Sequence, residues 1–331
     1  MGNKTKVIFI ATLTACLTAT VFSLCLGAAK LTLGELWQVL WGGGKNTTAY
    51  AIFWFSRLPR TAACLLAGSA LAVSGCILQS VLGNKLASPS IIGVNAGAGL
   101  AVTACCALGI LSGWAFSIAA FAGAIMAVLM VVVLARKTGA SRTTVILSGV
   151  AMNSILNALR DGVTTLVPEA GMMGSDFRVG GFSAVSANRL IPAAVLIVIA
   201  LSMSLTLCNE LDVMALGEET AKSLGLSVKR IRSLFLILAA VLAGAAVSFS
   251  GLLGFVGLLI PHGARYLVGN ESRKRLPLCA LLGATFVTAS DLVSRLIFAP
   301  FEMPVGILMS LIGGPFFLLL LLKKKGGHSY D

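Results

Sequence analysis

The sequence predicts an all-α polytopic membrane protein with about ten membrane-spanning helices, and three observations carry that reading. Mean hydropathy is +0.97; 57% of the 331 residues are hydrophobic and 11% are charged, too little charge to cover a soluble domain of this size. Apolar runs near the roughly 20 residues that a bilayer core requires recur along the whole chain. Lys and Arg gather in alternate connections between those runs, as the positive-inside rule demands.

In chain order the spans fall at 6–28, 58–82, 90–112, 114–135, 144–166, 190–208, 232–252, 256–269, 276–298 and 304–322, within one predicted permease domain over 1–331. The first follows a basic start, "MGNKTK", and could pass for a signal peptide. Many equally apolar segments follow it, so it reads as a retained first helix. The second opens on "RLPR", with Pro59 suited to a first helical turn. "LAGSALAVSG" and "GVNAGAGLA" crowd the second and third spans with small residues that let helix backbones approach. The eighth is short, and "GLLGFVGLLIPHGAR" carries Gly254, Gly257 and Pro261. It reads as a broken or half-length helix, which needs neighbouring protein or a water-filled cavity to satisfy its backbone.

With ten crossings, "MGNKTK", "ARKTGASR", "SVKRIR", "GNESRKR" and the tail "KKKGGHSYD" share one end with both termini, and the positive-inside rule makes that end cytoplasmic. "GNKLASPS" lies there too. The surplus of 25 Lys and Arg over 12 Asp and Glu, a net charge of +13, is thereby explained by orientation. Nucleic acid is a poor alternative, because no basic stripe is interleaved with aromatics. The 8 cysteines lack C-x-x-C spacing and read as small packing residues, and two histidines are too few for a His-rich metal site.

Arg57, Arg60 and Arg295 fall at the end opposite the cationic loops. Arginine forks pair carboxylates bidentately, so the three together suggest an external surface that docks acidic groups of a partner. Asp291 and Arg295 stand four apart on one helix face, where an ion pair is the simple expectation. Asp291 and Glu302 read as the main acids of the spans. The polar segment 209–231 reads as two short helices broken at Gly217 and Gly225. Glu218 and Glu219 at a helix start and Lys222 nearer its end suit the dipole, and Ala221 and Leu224 are expected on one face. The segment reads as a rigid knob for a cytoplasmic partner. No phosphate loop, nucleophile elbow, H-E-x-x-H or dinucleotide motif occurs. The chain is therefore expected to be no enzyme, to bind no cofactor, and to take its driving energy from elsewhere.

"RLPRTAACLLAGSALAVSGCILQSVLGNKLASPSIIGVNAGAGLA" resembles the N-terminal signature of the FecCD-type permeases of ABC importers. "ALGEETAKSLGLSVKR", "GLLGFVGLLIPHGARYLVG" and "GATFVTASDLVSRLIFAPFEMPVGILMSLIGGPFFLLLLL" follow in the family's order, so the resemblance covers nearly the whole chain after the first helix. It implies a type II ABC importer permease: a homodimer of ten-helix subunits in the bacterial cytoplasmic membrane. Two ATP-binding cassette subunits would hold the ATP and Mg below it, and an extracytoplasmic substrate-binding protein would dock above on Arg57, Arg60 and Arg295. It further implies that Leu216, Gly217, Glu218, Ala221, Leu224 and Gly225 seat in the ATPase, and that Asn84, Leu86 and Thr143 form a cytoplasmic gate. At that gate Lys85 replaces the family's usual proline, and "FRVGGFSAVSANR" lacks the usual tryptophans. The expected cargo is a ferric siderophore first, then a corrinoid or haem. The rival class, an ATPase-independent secondary transporter, would need ionisable pairs near mid-membrane and inverted halves, neither of which stands out.

Overall fold

The computed structural model describes residues 3–27, 32–41, 47–137, 141–297, 299 and 301–323. The basic tail beyond Lys323, Phe298 and Pro300 of the last turn, and 138–140 of "ARKTGASR" lie outside them. Among the described residues the chain is helical with no strand, and ten helices fall on the ten expected spans. They are α1 (Asn3–Cys25), α2 (Leu58–Val81), α3 (Val94–Ala107), α4 (Gly113–Lys137), α5 (Arg142–Leu166), α6 (Ala187–Thr206), α7 (Val228–Ser250), α8 (Val256–Val268), α9 (Ser272–Ile297) and α10 (Val305–Lys323). Among the described residues six helices are long and apolar enough to cross a membrane: α1, the continuous Thr48–Val81 that ends in α2, α4, α6, α7 and α9. α8, with 13 residues, reaches only about 20 Å at the usual helical rise.

α2 stands at the centre, buried on all sides against α9, α7 and α8. Nothing drives apolar helices together in lipid except close fit and interhelical hydrogen bonds, and α2 supplies both. Its small residues bring backbones into contact: Gly68 faces the backbone of Gly283 on α9, and Gly75 faces that of Gly257 on α8. Ser74 Oγ donates to the Ala239 carbonyl of α7 at 2.6 Å. α1 packs along α9 and leaves most of its surface free, as a lipid-facing helix does.

The break before α8 is real. Gly251 to Phe255 are unwound, Gly251 at φ 69 and Phe255, unusually for a residue with a Cβ, at φ 64. The freed backbone finds partners in the connection between α5 and α6: Gly181 N–H donates to Ser250 O at 2.8 Å and Leu252 N–H to Phe177 O at 2.9 Å. Protein burial thus satisfies this irregular stretch.

The connection after α1 holds a helix that the hydropathy reading treats only as loop. Leu33–Leu40 is closed by a capping box in which Thr32 and Glu35 bond reciprocally, and it exposes Trp37 and Trp41, packed edge to face at 5.3 Å. Amphipathic with exposed indoles, it has the character of a helix lying in a membrane interface.

Candidate functional site

Two ends matter: the one with the cationic connections, here the basic end, and its opposite. At the opposite end the three arginines come together, but not as an open surface. Arg57, Arg60 and Arg295 are only 4%, 9% and 3% exposed. The expectation of freely presented forks is corrected by what they already hold. Arg60 donates from Nε and Nη2 to Asp291 Oδ1 at 3.2 and 3.0 Å, and from Nη1 to Glu302 Oε2 at 2.6 Å. The expected Asp291–Arg295 pair is present at 3.1 Å, so one fully buried carboxylate serves two guanidinium groups. Arg295 Nη2 also reaches Ser23 Oγ at 2.8 Å, and Arg57 Nη1 donates to Leu24 O at 2.8 Å and Cys25 O at 2.5 Å.

The physical reason lies in α1. Its last carbonyls have no helical partner and carry the negative end of the dipole, and two arginines close that end. A six-residue π-helical stretch, Ile52–Arg57, runs directly into α2. Only Glu302 of this network is substantially exposed, and it borders a cavity of about 420 Å³ also lined by Arg60, Arg189 and the unwound Gly251.

At the basic end the segment between α6 and α7 forms the expected pair of short helices, Cys208–Ala215 and Glu218–Ser223. Gly217 at φ 120 and Gly225 at φ 81 bound the second, in backbone conformations that favour glycine. Glu218 does not project outward; it pairs with Arg232 of α7 at 3.0 Å and Lys222 at 3.1 Å. The hydrogen bond from Arg232, with that from Lys222 behind it and partial burial opposing both, holds the Glu218 carboxyl below the ordinary glutamate range. The tie is complete at neutral pH and is lost only as pH falls through that lowered value. Ala221 and Leu224 do not share a face. The helix ends at Ser223, so Ala221 is fully buried while Leu224 turns outward at 61% exposure. Leu216, at 66%, flanks the other side.

The expected gate residues do converge. Asn84, Leu86 and Thr143 line one chamber of about 720 Å³ with Lys85, Arg142 and His262. Where a proline would have fixed the turn, Asn84 builds it: its Oδ1 accepts from Leu86 N–H at 2.9 Å and its carbonyl from Ala87 N–H at 3.0 Å. Asn153 of α5 fastens the same connection, donating to Ser90 O at 2.8 Å and Ile91 O at 3.1 Å.

α5 also carries what the reading of the spans overlooked. It packs mainly on α3, α4 and the short helix Pro168–Met173, and leaves a broad exposed face. Thr143, Leu147, Ala151, Ser154, Ala158, Asp161 and Thr165 follow one another down that face at helical spacing. Asp161, paired with Arg160 at 2.9 Å, is two-thirds exposed and sits near the opposite end. A carboxylate and hydroxyls on an unpacked helix face do not suit lipid; they suit a water-filled path or another subunit. Its helical period with Thr143 was the available signal.

Comparison with known proteins is consistent along the chain. The profile of the FecCD transport family matches residues 15–323. The Fe(3+)-citrate import system permease protein YfmD of Bacillus subtilis is 35% identical over 303 residues, covering 91% of this chain and 90% of its own. The hemin transport system permease protein HmuU of Yersinia pestis is 34% identical over 310 residues, covering 91% and 92%. The cobalamin import system permease protein BtuC of Halobacterium salinarum is 38% identical over 276 residues, covering 83% and 74%. A solved structure described as the inward-facing conformation of a metal-chelate type ABC transporter superposes with a TM-score of 0.85 at 28% identity, over 96% of this chain and 99% of that one.

Proposed function

The chain belongs to the FecCD transport family, and from that premise we propose that it works as the homodimeric permease of an importer that moves a ferric siderophore into the cytoplasm by alternating access. Corrinoid and haem follow as cargoes, since relatives named for cobalamin and hemin are as similar as the one named for iron citrate. The basic end faces the cytoplasm and two ATP-binding cassette subunits; the opposite end receives a binding protein that delivers the chelate.

One observation carries the energetic half of this reading. Leu216 and Leu224 stand exposed on either side of a knob whose Glu218 carboxylate is spent on α7, through Arg232. Two bare leucines on a rigid, polar protrusion suit a socket in a partner, and the salt bridge hands any push on the knob to a buried helix. Leu216→Asp and Leu224→Asp are expected to weaken association with the cassette subunit about tenfold or more each, as truncated interface anchors do. Co-purification from detergent, with permease amounts equalised, measures this. Undiminished ATPase recovery would move the coupling surface elsewhere.

Docking at the opposite end follows from the same geometry. A partner carboxylate reaches Arg60 by taking the place of Glu302, the one exposed acid of that network. Glu302→Gln is therefore expected to tighten binding-protein docking about two- to fivefold, the scale of a partly exposed ion pair. Surface-captured permease in nanodiscs, titrated with binding protein, reads the change; a weaker complex would show that Glu302 belongs to the docking surface itself.

α5 completes the proposal. Its polar stripe lines the path between two copies, with the exposed Asp161 near the mouth that receives cargo and Thr143 at the gate. Arg160 and Asp161 lie towards one end rather than at mid-membrane and neutralise each other, which gives a proton-driven carrier little to work with.

A further inference from the structure

We propose that the chamber at the basic end selects anionic cargo, specifically ferric chelates that carry free carboxylates; this rests on the importer reading above. Lys85, Arg142 and His262 line the chamber beside Asn84 and Leu86, and no lining residue is acidic. Among the described residues Lys85 pairs with no carboxylate, and its side chain is exposed. Arg142 spends Nη2 on the Met214 carbonyl at 2.5 Å, while its buried Nε has no partner.

Two acids stand beyond this wall. Lys85 also borders an adjoining cleft of about 450 Å³ that holds Asp212 and Glu271. Asp212 Oδ1 accepts the Ser272 N–H at 2.9 Å, and Glu271 is paired with Lys274 at 2.5 Å. Arg265 and Arg275 stand in that same cleft and balance its two acids, so the charge of Lys85 is not offset there. Glu218 is held by Arg232 and Lys222. The chamber wall is left with a positive surplus.

Ordinary headgroup attraction does not account for this placement. Lys137 and Lys229 lie at outer helix ends, where a positive-inside cation belongs, whereas Lys85 stands in the gate turn itself between Asn84 and Leu86. Low-dielectric walls focus the field of such a cation into the space it borders. In a two-fold pair of chains the wall occurs twice. An anionic chelate is drawn to this exit, a cationic one is repelled, and a neutral corrinoid gains nothing. The wall attracts without gripping, because Lys85 is solvated and holds its charge on a long stem.

The test uses cells expressing the whole transporter and follows initial uptake of radiolabelled iron presented as ferric citrate, an anion, or as ferrioxamine B, a cation. Permease levels in the membrane are matched by immunoblot. Wild-type cells are expected to favour ferric citrate. Lys85→Glu should lower ferric citrate uptake about tenfold, in line with electrostatic focusing, while Lys85→Arg stays within about twofold of wild type. Ferrioxamine B uptake should not fall in Lys85→Glu. Unchanged citrate uptake in Lys85→Glu overturns the proposal. So does an equal loss for both chelates, which would mark damage to the gate turn, and so does a wild-type preference for the cation. Uptake of neither chelate by wild type, with the cassette subunit still bound, overturns the iron-chelate reading as well.

Discussion

Arg60→Met is expected to remove most of the folded protein from the membrane. Asp291 is fully buried and shared between Arg60 and Arg295. Removing one guanidinium strands part of a buried carboxylate, a defect that costs about 3–5 kcal/mol. Whole-domain stabilities are only about 5–15 kcal/mol, so little margin is left. Arg60→Met combined with Asp291→Asn removes the stranded charge and should restore part of the loss, which a merely misfitting methionine would not allow. Fluorescence-detected size exclusion with a thermal ramp reads both variants. A melting temperature for Arg60→Met within about 2 °C of wild type would return Arg60 to the role of a free docking fork.

Gly75→Val is the second large effect. A Cβ at Gly75 would lie 1.9 Å from the Gly257 carbonyl oxygen, and the obstacle is backbone, not the tip of a pliable side chain. Core overpacking ordinarily costs about 1–3 kcal/mol; here α2 and α8 would have to part along their closest approach, and the loss should exceed that range. Gly162→Ala provides the contrast. Nothing lies within 4 Å of its would-be Cβ, and a glycine inside a helix costs about 0.5–1 kcal/mol relative to alanine, so α5 should gain slightly. If both variants behaved alike in the same thermal assay, the α2–α8 contact would not be a determinant of folding.

Much of the architecture is written in local rules. The ten helices are legible because apolar runs recur near the length a bilayer core sets, although only six of those described are long and apolar enough to cross it, and the break before α8 is legible because glycine and proline interrupt that length. The two halves of the knob are legible because Gly217 and Gly225 punctuate a polar stretch. What the sequence hides is what distant residues do to one another. Arg57 and Arg60 read as surface forks because the carbonyls of Leu24 and Cys25, and the carboxylate of Asp291 some 231 positions away from Arg60, are invisible from the local pattern. Ala221 and Leu224 obey helical spacing only while the helix lasts, and it stops one residue too soon. Asp161 is masked by its apolar neighbours in a span scored by averages. The capping box at Thr32 and Glu35 was there to be read, but a helix of 8 residues falls below the ruler used for spans. The residues expected at a gate are a different case: only the family resemblance points to Asn84, Leu86 and Thr143, and the structure shows that they line one chamber.

α7 has a further consequence. It is tied near its start to the knob, through Arg232 and Glu218, and at its far end, where it passes into the left-handed Gly251, its Ser250 carbonyl accepts the Gly181 amide. A helix of 23 residues is about 35 Å long and nearly inextensible along its axis. Tied to the knob below and to the α5–α6 connection above, it would act as a crank that swings about its upper end. Each ~1 Å of travel at the knob becomes a tilt of only about 1.6° over that ~35 Å arm. Such a gearing would turn a large stroke below into a small and accurate rotation above, with its axle at the unwound stretch Gly251 to Phe255.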